Sequence, residues 1–267
     1  MKTILCPVDF TSLSDRLLQY TANLAKDGNC KIYLVSTQAA KKKEFAHAGS
    51  NRESASRLDE MHDYVSGIQH VPCGVVEETL SGNLYKKLGT LADRYDIMAM
   101  MIKTTPNERS AKDLDLHKII HETLAPILVI PDRFTYKKIN RLLYAYDYKH
   151  ESEPPLMQLH WLADWFDAAI VIITLLPGDT SIKVEDKLKS IQQAIKNSWK
   201  CTNPITFETI VYPDVPTGLE HYLGLSGVND LLVLSINHQN MLERFWHKSV
   251  VKGVLKYSKH PYLIIHK

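Results

Sequence analysis

Two aspartates occupy matching places in the chain, Asp9 in Val8-Asp9-Phe10-Thr11 and Asp147 after Tyr146, each directly following a short apolar run. If those runs are strands of an open α/β sheet, each carboxylate falls at the carboxyl end of a first strand. Ligands bind there in such sheets, and a carboxylate can accept hydrogen bonds from a ribose or an adenine. The same residues have a second use, capping or orienting the loop that enters the next helix. His238, Arg244, His247, Lys248 and Ser249 gather basic and hydroxyl donors in one short stretch, chemistry that holds an anion or else forms a solvated basic loop. His117 and His121 stand four apart, a helical spacing that lets two imidazoles share a metal, but no third ligand accompanies them and no metal is expected. Trp161 and Trp165, also four apart, read as a partner contact or as a widened core stripe. Cys6, Cys30, Cys73 and Cys201 are scattered without a C-x-x-C, so they signal neither a disulfide framework nor a zinc site. Cys6, in an apolar run with no basic neighbour, reads as a small hydrophobe. There is no G-x-S-x-G, no P-loop and no H-E-x-x-H, so the motifs supply no catalytic constellation.

The elements that would position these residues follow from composition and pattern. The chain has 267 residues, 45% hydrophobic and 23% charged, values that argue for a globular fold and against disorder. A net charge of only +2 removes the field a nucleic-acid binder would use. The longest apolar segment, Ala168 to Leu176, falls well short of a bilayer span, and the start of the chain lacks the features of a signal peptide. No membrane and a reducing cytoplasm are therefore expected. Short Ile-, Val- and Leu-rich runs alternate with segments of helical period, the pattern of βαβ units around a parallel sheet. Strands are expected at Thr3–Val8, Lys31–Ser36, His70–Val76, Ile97–Ile102 and Ile127–Ile130. Helices are expected between them, the first opening on a capping signal from Ser12 to Asp15. Thr37 to Ser50, Lys-rich and without apolar period, reads as a mobile loop. After a polar joint at Pro131–Lys138 the pattern restarts with strands at Arg141–Tyr146, Ala168–Leu175, Ile205–Tyr212, Leu231–Ile236 and Tyr262–His266. A helix is expected at Lys248–Tyr257.

The restart is a duplication. Ile4-Leu5-Cys6-Pro7-Val8-Asp9 corresponds to Leu142-Leu143-Tyr144-Ala145-Tyr146-Asp147, Asp96-Ile97-Met98 to Asp230-Leu231-Leu232, and Ala125-Pro126-Ile127-Leu128 to His260-Pro261-Tyr262-Leu263, at offsets of 138, 134 and 135 residues. Three correspondences at nearly constant offset predict two copies of one α/β domain, residues 1–134 and 138–267.

An Asp ending the first strand, a buried fourth strand opened by Asp, and a close such as Thr123-Leu124-Ala125-Pro126-Ile127-Leu128-Val129-Ile130-Pro131 resemble the universal stress protein family, over both halves of the chain. The resemblance implies two tandem open five-stranded parallel sheets with helices on both faces, Rossmann-like and akin to the adenine-nucleotide alpha hydrolases. It also implies pairing through the last strands. Ile127–Ile130 and Tyr262–Ile265 would then form a dimer-like junction within one chain, with a homodimer as a further option.

Nucleotide-binding members of that family carry a glycine motif after the fourth strand, because phosphate must approach backbone amides in a loop leading to a helix N-terminus. Here the motif is degraded in both copies. Only 11 glycines occur in the whole chain. In the second copy the spacing survives as Ser235, His238, Lys248 and Ser249, with every glycine replaced and only Ser249 matching. In the first copy, Met101 to Leu114 holds no glycine, and Asp113 would repel a phosphate. Gly224-Leu225-Ser226-Gly227 precedes a strand instead of following one. The expectation is a non-enzymatic stress-type binding or signalling module. The alternative is an adenine-nucleotide protein with slow ATPase activity, ATP held in the second copy by Asp147, Ser235, His238, His247, Lys248 and Ser249; Asp9 is the weaker candidate in the first. A further alternative is a structural scaffold whose clefts are filled by side chains such as Met98, Met100 and Met101.

Overall fold

The computed structural model describes residues 1–37, 49–68, 70–76, 83–104, 115–132, 134–147, 154–176, 182–213, 215–225, 229–236 and 260–267. The chain divides into two compact units, Met1–Tyr136 and Lys137–Ile265.

The first unit runs β1 (Lys2–Val8), α1 (Ser12–Asp27), β2 (Cys30–Ser36), α2 (Gly49–Asp63), a π-helical turn (Tyr64–Ile68), β3 (Cys73–Val76), α3 (Leu84–Arg94), β4 (Ala99–Thr104), α4 (Leu116–Glu122) and β5 (Ile127–Pro131). Its strands lie in the order β3-β2-β1-β4-β5, all parallel. The strand order turns the crossovers one way for α1 and α2 and the other way for α3 and α4, so crossovers of one hand set the two pairs on opposite faces, and α3 packs on α4. The inner strands are apolar almost throughout because both faces are covered: β5 is buried at every residue and β1 over its last five.

The second unit repeats the plan with β6 (Arg141–Tyr146), α5 (Leu156–Phe166), β7 (Ala169–Leu176), α6 (Ile182–Ser198), β8 (Ile205–Val211), α7 (Val215–Leu225), β9 (Asp230–Ile236) and β10 (Tyr262–His266). Its order β8-β7-β6-β9-β10 is that of the first unit, strand for strand. In each unit the order reverses between the first and fourth strands, β1 and β4 or β6 and β9. Their carboxyl ends form the crevice where open α/β sheets bind ligands.

Local chemistry moves several expected boundaries. β4 begins at Ala99 and not Ile97, because Asp96 adopts a left-handed conformation at φ 48° and the Ile97 amide bonds back to the Ala92 carbonyl at 2.9 Å. The cap of α1 is Thr11, whose side chain accepts from the Ser14 amide, so Ser12 is the first helical residue. Pro154 and Pro155 precede α5, with Pro155 at the cap position and no side-chain cap bond. Gly49 and Ser50, expected in a loop, begin α2. Most of the expected mobile loop, and the helix expected at 248–257, lie outside the described residues.

Candidate functional site

The crevice of the first unit is built around Asp9. Phe10 turns the chain at the end of β1 with a left-handed φ of 60°, unusual for a residue with a side chain, and its ring is buried. That turn brings the Thr11 amide to Asp9 Oδ1 at 3.1 Å, an Asx turn. The same oxygen accepts from the Thr11 hydroxyl at 2.6 Å and from the Ser14 hydroxyl on the first turn of α1. Ser14 Oγ in turn accepts from the Asp9 amide at 3.0 Å.

From the neighbouring strand β4, Lys103 donates to Asp9 Oδ2 at 2.7 Å and to Thr11 Oγ1 at 2.8 Å. Both side chains are largely withdrawn from water, Lys103 13% and Asp9 11% exposed. Burial alone would raise the Asp9 pKa. The hydrogen bonds from Lys103, Ser14 and Thr11 outweigh it and hold the carboxyl down at about 2.

Among the described residues, two small hollows border this cluster. A hollow of about 10 Å³ is lined by Pro7, Asp9, Ser14, Leu17, Met101 and Lys103, and a second of about 10 Å³ lies across Lys103 against Arg16, Ile130 and Phe134. Each has room for about one water molecule, whereas pockets for small ligands measure roughly 300–1,000 Å³. Arg16 is held by Asp132 at 2.9 Å. Met100 and Met101 are fully buried, and it is Lys103 that occupies the position beside the carboxylate.

In the second unit Asp147 follows β6 and is half-buried. Ser235 lies on β9, next to β6, but its hydroxyl is buried and hydrogen-bonded to Tyr144 Oη at 2.8 Å. β9 carries no charged residue after Asp230, so nothing on that strand corresponds to Lys103. The structure thus brings Asp147 and Ser235 to adjacent strands. His238, Arg244, His247, Lys248 and Ser249 lie outside the described residues, as does Asp113.

The remaining singled-out residues resolve individually. Cys6 is fully buried against Thr21, and burial pushes its thiol up to about 12, the behaviour of a core residue and not of a nucleophile. Trp165 is 4% exposed and stacked on Phe166, which makes it core, while Trp161 is half-buried. His117 and His121 share the short α4, and no group of three or more metal-ligating side chains forms among the described residues. Gly224 belongs to the last turn of α7 and not to a phosphate-binding loop. No helix among the described residues is long and apolar enough to cross a membrane.

Sequence reasoning missed Lys103. A signal was present: it is a single charge closing the apolar run Ala99–Ile102, at the strand end that faces the end of β1.

The architecture matches solved structures along essentially its whole length. A universal stress protein from Archaeoglobus fulgidus DSM 4304 superposes with a TM-score of 0.71 at 13% identity, over 99% of this chain and 96% of that one. A putative universal stress protein from Pseudomonas aeruginosa UCBPP-PA14 gives 0.60 at 13% identity, over 100% and 93%. The cytoplasmic domain of a prokaryotic cation chloride cotransporter gives 0.58 at 11% identity, over 98% and 94%. No protein-family sequence model matches the chain, and no curated protein matches it by sequence. The chain has the universal stress protein fold in its tandem form. At this level of identity the likeness is one of fold, and the same fold serves a cotransporter's cytoplasmic domain.

Proposed function

We propose that the chain is a non-enzymatic, tandem universal-stress-type protein that acts as a binding or signalling module, and that its first unit takes no nucleotide. The observation that carries this reading is the ion pair of Lys103 with Asp9. The carboxylate at the switch point is already supplied with donors by Lys103, Thr11 and Ser14, so a ribose or adenine would have to displace charge-assisted bonds there, beside a hollow that holds about one water. The missing glycines point the same way, because Met101 to Leu114 offers no position where backbone amides can approach a phosphate without side chains in between. Thr11 beside Lys103 has the makings of a hydroxyl and its base, but Asp9 keeps the amine engaged as a donor, which argues against nucleophilic catalysis there.

The alternative, an adenine nucleotide in the second unit, draws on a different observation: β9, Asp230–Ile236, carries no lysine, so that strand does not repeat the pairing of Lys103 with Asp9. Phosphate release from ATP and Mg²⁺ tests the enzymatic part directly. No release above buffer is expected. Sustained release that disappears in Asp147→Asn would overturn the reading and favour the alternative.

A further inference from the structure

We propose that Lys103 is a built-in ligand: a tethered primary ammonium that occupies the first crevice and holds it shut. The proposal rests on the reading of the first unit as closed to nucleotide and supplies the device that closes it. Its ammonium meets Asp9 Oδ2 and Thr11 Oγ1 at 2.7 and 2.8 Å, two acceptors that the Asx turn and the first turn of α1 hold in place. The arrangement is polarised in one direction. Lys103 donates to Thr11, Thr11 donates to Asp9 Oδ1, and Ser14 donates to the same oxygen while accepting from the Asp9 amide. The Thr11 hydroxyl thereby presents an acceptor to the ammonium, and both hydroxyl protons are spent on Asp9 Oδ1.

A chain of methylenes leads from the ammonium back to β4, between hollows that themselves admit only about one water each. The lysine side chain thus lies against both hollows, which share Leu17 and Lys103 in their linings, and fills the space between them. Removing it leaves a carboxylate and a hydroxyl facing a cavity shaped by an alkylammonium. The ligand chemistry of the emptied site is accordingly a small primary amine.

The test is chemical complementation read by thermal melting of the full chain. Lys103→Ala should melt below the wild type, and ethylammonium chloride at about ten times its dissociation constant should raise that variant's midpoint by about 2–4 °C relative to sodium chloride of equal ionic strength. The wild type and Lys103→Met, in which a side chain still fills that space, should not respond. No shift in Lys103→Ala, or an equal shift in all three proteins, overturns the proposal. Should Lys103→Ala fail to fold, acylation of the wild type decides. Lys103 should react roughly tenfold more slowly than Lys118, whose side chain is 61% exposed, and equally fast once the protein is unfolded. Equal rates in the folded protein overturn the plug. These measurements read the plug alone, whereas nucleotide binding by the wild type reads the function, so either can fail without the other.

Discussion

Asp9 illustrates how one carboxylate can be drawn into either of two roles, and its protonation offers the measure of which. Its folded pKa of about 2 lies below the ordinary 3.8, so the ionised form is favoured by folding. That difference is worth ~2 kcal/mol, fully present above the unfolded pKa and lost as pH falls through the folded one. The stability gap between the wild type and Asp9→Asn, measured by denaturant unfolding, should therefore be constant above about pH 5 and shrink between about pH 4 and pH 2. A gap that does not narrow with acid would show that Lys103 and the hydroxyls contribute nothing specific to the charge. The partnership itself could not be read from the sequence. Lys103 and Asp9 are 94 residues apart, and only the parallel pairing of β1 with β4 brings their ends together.

At the scale of elements, the strands and their repetition were legible because buried parallel strands leave a clear trace, short apolar runs with no polar face, written twice. What the pattern conceals is how matching residues diverge in use. Asp230, inside β9, is 4% exposed and takes a bidentate grip from Arg141 on β6, at 2.8 and 2.5 Å. Its sequence counterpart Asp96 stands outside β4 in an exposed left-handed turn. Asp230→Ala should cost about 2–3 kcal/mol and Asp96→Ala less than about 1 kcal/mol, and equal losses would show that the ion pair does not tie the strands. Helix packing carries a similar hidden constraint. A β-carbon on Gly89 of α3 would stand 1.9 Å from the backbone oxygen of Glu122, where α4 ends. Gly89→Ala should destabilise by about 1–3 kcal/mol despite the better helix propensity of alanine. A gain in melting temperature would mean that α3 and α4 can move apart freely.

For the whole molecule, duplication supplied two crevices of one design, and the two have since been furnished differently. The first has a lysine on its fourth strand and a carboxylate bound to it. The second has Tyr144 and Ser235 bonded to each other in the buried sheet, and its β9 carries no lysine or arginine. The glycine deficit was visible from the sequence and spoke to both units alike, whereas the distinction between them depends on side chains that only the fold brings together. On the proposed reading, a tandem protein of this kind keeps two crevices of one shape while the first takes no nucleotide. Calorimetric titration of ATP into the full chain, compared with Asp9→Asn and Lys248→Ala, tests that claim most directly. No saturable binding that depends on Asp9 is expected, so any heat that appears should survive Asp9→Asn and fall with Lys248→Ala. Saturable binding abolished by Asp9→Asn and indifferent to Lys248→Ala would contradict it.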